Sequence, residues 1–86
     1  MKMNFNMRQV LIDYIEQQLL SGRNGTKVDP SDDLMGSGLI DSMGMMRFIR
    51  FIEDHFEISV PPEDLVIENF MTVADIDNYL KRRKSV

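Results

Sequence analysis

The sequence predicts an all-α domain of three main helices and one short one, with a long ordered loop between the first and second. Large apolar residues recur at helical spacing in two long segments and again near the C-terminus. A stretch rich in Gly, Asp, Ser and Pro separates the first two of these segments. The strand-like stretch Glu57-Ile58-Ser59-Val60 is too short to stand as a strand and is closed by Pro61-Pro62. At 86 residues the chain predicts a single domain over 1–86, near the lower end of the size at which one hydrophobic core suffices without staples.

The first helix is predicted over about 4–21, where Phe5, Ile12, Ile15 and Leu19 recur with Leu11 and Leu20 beside them and Arg8, Asp13, Glu16 and Gln17 between. Ser21-Gly22-Arg23-Asn24-Gly25 stops it, and the chain then runs to Asp41 as a loop anchored by Val28, Leu34, Leu39 and Ile40. Loops of this length inside compact domains are uncommon and are often functional. The second helix is predicted over about 42–56. On a wheel of about 3.6 residues per turn, Met45, Phe48, Ile49, Ile52 and Phe56 form its apolar stripe, while Met43, Arg47, Arg50 and Asp54 lie opposite with Met46 at the margin. Pro62, Glu63 and Asp64 open a short third helix over about 62–68, because a proline and acids suit a helix N-terminus. Thr72 and Asp75 have the hydroxyl-then-acid spacing of a capping box and begin the last helix, about 72–84, on which Val73, Ile76 and Leu80 turn inward.

Composition excludes several function classes. Without cysteine the chain can build no disulfide, thiolate zinc site or thiol nucleophile, so any thiol chemistry must come from an attached group. The formal charge is −4, but Lys81, Arg82, Arg83 and Lys84 supply four of the ten cations, which leaves the body at 6 minus 14, or −8. Such a body repels a phosphate backbone and argues against nucleic acid binding, and the tail cations suit the negative end of a helix. The segment Met1 to Asn6 lacks the unbroken apolar run of a secretory signal, and no run reaches membrane-spanning length. These features predict a cytoplasmic protein with no membrane insertion. Eight methionines point to an adaptable interior or contact surface.

Catalysis by the chain itself finds no support in the residues. Gly38-Leu39-Ile40-Asp41-Ser42-Met43 places a serine where the loop gives way to the second helix, but the single histidine, His55, lies on the same helix. At about 1.5 Å per residue the two are about 20 Å apart along its axis, too far for a nucleophile and its base. Asp29-Pro30-Ser31-Asp32-Asp33 lacks the pattern of a calcium loop, since Leu34 stands at the glycine position and Ile40 at the final glutamate, so no metal site is predicted. Its acids read as turn formers. The acidic pairs Asp32-Asp33, Glu53-Asp54 and Glu63-Asp64 show no general acid and base arrangement. Asp41 and Ser42 would serve equally as simple caps of the helix. An exposed hydroxyl at a helix N-terminus also lies beside free backbone N–H groups, where a phosphate ester is favoured, so Ser42 reads as a residue that other enzymes modify.

The same residues, Gly38 to Met43, resemble the Gly-x-Asp-Ser-Leu signature of the acyl and peptidyl carrier proteins, with one extra residue before the aspartate. Phe48, Ile52, Phe56 and the later Asn69-Phe70-Met71-Thr72-Val73 extend the resemblance over nearly the whole chain in the family's order. The resemblance implies a four-helix bundle of acyl-carrier type in which Ser42, flanked by the motif residue Asp41, is esterified by 4'-phosphopantetheine from coenzyme A. It implies no catalysis by the chain. The partners it implies are a phosphopantetheinyl transferase, an acyl- or aminoacyl-loading enzyme and downstream transferases or synthases, acting on a monomer. An acyl or aminoacyl group would then travel as a thioester in a specialised fatty acid, polyketide, nonribosomal peptide or modified-lipid pathway. The alternative is a helical interaction module that never receives a cofactor.

The second helix departs from the acidic one usual in fatty acid synthesis members: Gly44 and Arg47 stand where acids are common, and Arg50 adds a cation. From Glu57 to Asp77 there are six acids and no Lys or Arg, which moves the expected negative surface toward the third and fourth helices. Partner contact is expected at Met43, Met46, Arg47 and Arg50.

Overall fold

The computed structural model describes residues 6–20 and 27–84, and the described residues form helices and turns with no strand. Phe5 and the stop signal Ser21 to Gly25 lie outside the described residues, as does the side chain of Lys84. Helix α1 (Met7–Tyr14) starts at Asn6, whose side chain accepts the Gln9 N–H at 3.3 Å. It continues as a π-helical turn over Ile15–Leu19, closed by the Leu20 N–H on the Ile15 carbonyl at 2.9 Å. The inward line runs through Leu11 and Ile15, both with no exposed surface, and ends on buried Leu20; Ile12 and Leu19 are only partly covered. The expected face of Ile12, Ile15 and Leu19 thus keeps only Ile15 fully inward, with the flanking Leu11 and Leu20 buried in place of the other two. The reason is the spacing of four that aligns Leu11 with Ile15, followed by the wider turn, which ends the helix at Leu20.

Helix α2 (Ser42–Phe56) buries Met45, Phe48, Ile52 and Phe56, with Ile49 half-buried, as the stripe predicts. Tyr14 of α1 lies flat against Phe51, ring centres 4.0 Å apart, and packs the first helix on the second. Glu57 ends α2 in the left-handed region at φ 57°, and Glu53 then holds the departing chain by accepting the Val60 N–H on its carboxylate at 2.9 Å.

The short helix expected over 62–68 is two pieces: a 3-10 turn, Pro62–Asp64, and a four-residue helix α3 (Ile67–Phe70). Val66 between them is extended at φ −121°, a conformation suited to its branched side chain. Asp64 is held there by two outside donors, since Asn69 Nδ2 reaches its carbonyl at 2.9 Å and the Tyr79 hydroxyl its carboxylate at 2.6 Å. Helix α4 (Val73–Lys84) begins after Thr72, whose hydroxyl accepts the Asp75 N–H at 3.0 Å. Val73, Ile76 and Leu80 have no exposed surface, and together with Leu11, Ile15, Leu34, Phe48 and Ile52 they form the centre of the core.

Two of the acids counted toward a negative surface on the later helices face inward instead. Asp77 is 2% exposed and bonds Arg8 Nε of α1 at 2.8 Å, with Lys81 Nζ at 3.3 Å, because an ion in the core must be paired. Asp64 is half-buried against Tyr79. Two of the tail cations also find partners: Arg83 donates to the Ser59 carbonyl, and Arg82 donates to Asn69 Oδ1 at 3.1 Å while lying over the Tyr79 ring.

Burial, aided by the Asp64 hydrogen bond, pushes the Tyr79 hydroxyl up to about 12 from an ordinary value of 10.0. The proton is therefore held more tightly in the folded chain, so this contribution to stability is complete below about pH 10 and is lost as pH rises toward 12. Unfolding midpoints in urea should fall across that window, and the fall should shrink in Tyr79→Phe.

Candidate functional site

Every element of the site serves to set the start of α2. The loop leading to it is pinned from below: the Val28 N–H bonds the Glu16 carboxylate at 2.7 Å, the Leu34 N–H the Met71 carbonyl at 2.9 Å, and the Ile40 N–H the Leu34 carbonyl at 3.0 Å. Val28, Leu34 and Ile40, three of the expected anchors, are buried, and Leu39 is half-buried. The loop acids accept from their own turn, Asp29 from Ser31 and Asp33 from the Gly36 N–H at 2.8 Å. Both Ser31 bonds hold the Asp29 carboxyl below its ordinary range. Gly38 sits at φ 85°, a backbone conformation that a side chain resists, and turns the loop toward the helix.

Asp41 is the N-cap: its Oδ1 accepts the Gly44 N–H at 2.7 Å and its carbonyl accepts the Met45 N–H at 2.8 Å. Ser42 is the first helical residue and is exposed to solvent. As the first two positions of the helix, Ser42 and Met43 have N–H groups with no acceptor inside it. The exposed hydroxyl therefore stands at the positive end of α2 with unsatisfied donors next to it. His55 is exposed at the far end of the same helix, its ring against Phe51 and Phe56, so the histidine of α2 does not reach Ser42.

The outward side of α2 carries all four expected contact residues. Met43 is 74% exposed and Met46 69%, while Arg47 and Arg50 also reach solvent, Arg50 with Asp54 at 3.6 Å. Gly44 does not belong to that side. It is buried, and a Cβ there would lie 3.0 Å from Ile40 Cγ2 and 3.2 Å from Asp41 Oδ1, so the close approach of the loop to the helix explains the glycine.

A feature that sequence reasoning missed adjoins the site. Met35 of the loop, Met45 and Ile49 of α2, and Val66, Phe70 and Met71 line an apolar groove of about 510 Å³. Leu65, Val66 and Ile67 are all substantially exposed along it. The available signal was the run Leu65-Val66-Ile67, three consecutive apolar residues in a segment too short to bury them all.

Comparison with known proteins gives one family and a consistent set of relatives. The profile of a family described as phosphopantetheine attachment site matches residues 9–80. A D-alanyl carrier protein of Lactococcus lactis subsp. lactis (strain IL1403) is 31% identical over 78 residues, covering 91% of this chain and 96% of that protein. A D-alanyl carrier protein of Lactococcus lactis subsp. cremoris (strain MG1363) is 33% identical over 70 residues, covering 81% of this chain and 86% of that protein.

The N-cap is the most direct handle on the site's local geometry. Asp41→Ala should cost about 1 kcal/mol of stability through loss of the cap, measured by urea unfolding, and Asp41→Asn should restore most of it.

Proposed function

The chain belongs to the phosphopantetheine-binding acyl and peptidyl carrier proteins, and from that membership we propose that Ser42 is the residue that takes the 4'-phosphopantetheine arm, with Asp41 setting its backbone. The observation that carries this reading is the exposed Ser42 hydroxyl at the first residue of α2, beside N–H groups with no helical acceptor. When bound, the arm supplies a terminal thiol that holds an acyl or aminoacyl group as a thioester, which accounts for a carrier protein without cysteine. The protein is a carrier, and the chemistry belongs to its partners. A phosphopantetheinyl transferase would have to supply the base that removes the Ser42 proton, since Glu53, Asp54 and His55 of α2 lie at its other end. An acyl- or aminoacyl-loading enzyme and downstream transferases or synthases complete the partner set, and we place the carrier in the cytoplasm as a monomer. Among the described residues no helix is long and apolar enough to cross a membrane.

Relatives named D-alanyl carrier protein support an aminoacyl cargo, and D-alanyl is the first to test. The apolar groove favours a second reading, an aliphatic acyl group of a specialised fatty acid, polyketide or modified-lipid pathway, with a nonribosomal peptide route as a further aminoacyl possibility. Family membership weighs against the cofactor-free interaction module. Met43, Met46, Arg47 and Arg50 are the proposed partner contacts, with two flexible thioethers next to Ser42 and two cations a turn beyond.

Incubation with coenzyme A and a broad-specificity phosphopantetheinyl transferase should add one arm by mass, and Ser42→Ala should add none. Absence of any addition with several transferases would overturn the reading. The armed protein can then be offered either D-alanine with ATP and a D-alanyl carrier ligase, or octanoate with an acyl carrier synthetase, and the thioester that forms separates the two cargo classes. Arg47→Glu together with Arg50→Glu should lower kcat/KM of loading by about tenfold and leave the urea midpoint in place. Unchanged loading kinetics would remove both arginines from the docking surface.

A further inference from the structure

Three methionines crowd the first turn and a half of α2, and they differ sharply in environment. Met43 and Met46 are 74% and 69% exposed, whereas Met45 between them is 7% exposed and packs in the core. Met43 follows Ser42 directly and Met46 lies four residues on, so both thioethers flank the hydroxyl on the outward side of the helix. With no cysteine in the chain, these exposed thioethers are the side-chain sulfurs it offers to an oxidant beside its candidate attachment point.

We infer that Met43 and Met46 form a peroxide-sensitive modification site that controls whether a partner enzyme can close over Ser42. The inference rests on the reading of Ser42 as the arm's attachment point. Each thioether sulfur donates an electron pair to one oxygen of hydrogen peroxide; the O–O bond breaks, an S–O bond forms and water leaves. Sulfur is oxidised by two electrons and the peroxide is reduced by two. The product is a methionine sulfoxide, a strong acceptor in place of a soft apolar group, and it is reversible by the methionine sulfoxide reductases. A partner surface that closes on this face would bury that acceptor without a matched donor, which weakens docking. Met45, which borders the groove, is itself only 7% exposed, so oxidation confined to Met43 and Met46 leaves the packing of α2 intact.

The test treats the purified protein with hydrogen peroxide, removes the peroxide with catalase, and follows both sulfoxide content by peptide mass spectrometry and arm transfer with coenzyme A and a broad-specificity transferase. Sulfoxide should form at Met43 and Met46 well before Met45, with an unchanged circular dichroism spectrum. The kcat/KM of arm transfer should fall by about tenfold, as expected for an unpaired buried acceptor, and return after treatment with the reductases. Each variant is compared with itself before oxidation, and the ratio for Met43→Leu with Met46→Leu should stay near one although Met35 and Met71 remain oxidisable. The inference is overturned if Met45 oxidises as fast as its neighbours, if transfer is unaffected with both sulfoxides in place, or if the double variant loses rate in the same proportion. A protein that accepts no arm before any peroxide is added overturns the Ser42 reading, and this inference with it.

Discussion

The side chain of Ile40 lies against the backbone of Gly44, and the position of α2's first turn depends on that contact. Ile40 is itself fixed through its N–H on the Leu34 carbonyl, and Leu34 through its N–H on the Met71 carbonyl. Each link is a backbone hydrogen bond worth about 0.5–1.5 kcal/mol net, which is modest singly. Acting in series on buried Leu34 and Ile40, these bonds leave the loop one way to reach the helix. Asp41 completes the arrangement by capping α2, and the hydroxyl after it is left outside.

Polar groups inside the fold are kept in closed pairs, which leaves the outward side of α2 unlike the rest of the surface. Asp77 is committed to Arg8 and Lys81, and Asp64 to Asn69 and Tyr79, while the tail arginines reach back to Ser59 and Asn69. Among the described residues, Arg47 has no ion-pair partner, and Arg50 shares Asp54 at the longer distance of 3.6 Å. A protein with net charge −4 thus presents cations and thioethers next to its exposed serine. Charges placed at a contact rim act mainly on the rate and orientation of encounter.

The helices were legible because their apolar spacing is strong: the stripe of α2 and the inward residues of α4 needed only the helical period. The exceptions have local causes. Ile12 looked inward because the period alone cannot anticipate the π-helical turn or which of two adjacent rows faces the core. The short third helix broke in two because donors from Asn69 and Tyr79, outside the turn that Asp64 closes, fix the chain between its halves. Gly44 looked like a missing surface acid, since nothing local tells that a loop residue will press on it. Asp77 looked like surface charge for the same reason: its partner Arg8 is 69 residues away. The groove is not legible in the sequence because it is made where three separate segments meet, and the run Leu65-Val66-Ile67 marks only one of its walls.

Met71 belongs to two structures at once. Its carbonyl holds Leu34, from which the serine-bearing turn hangs, and its side chain forms part of the groove wall. A guest lodged between the loop and α3 would therefore lean on the same residue that suspends the turn. Occupancy of the groove would thereby be felt along the chain as a small tilt of the backbone from which α2 departs.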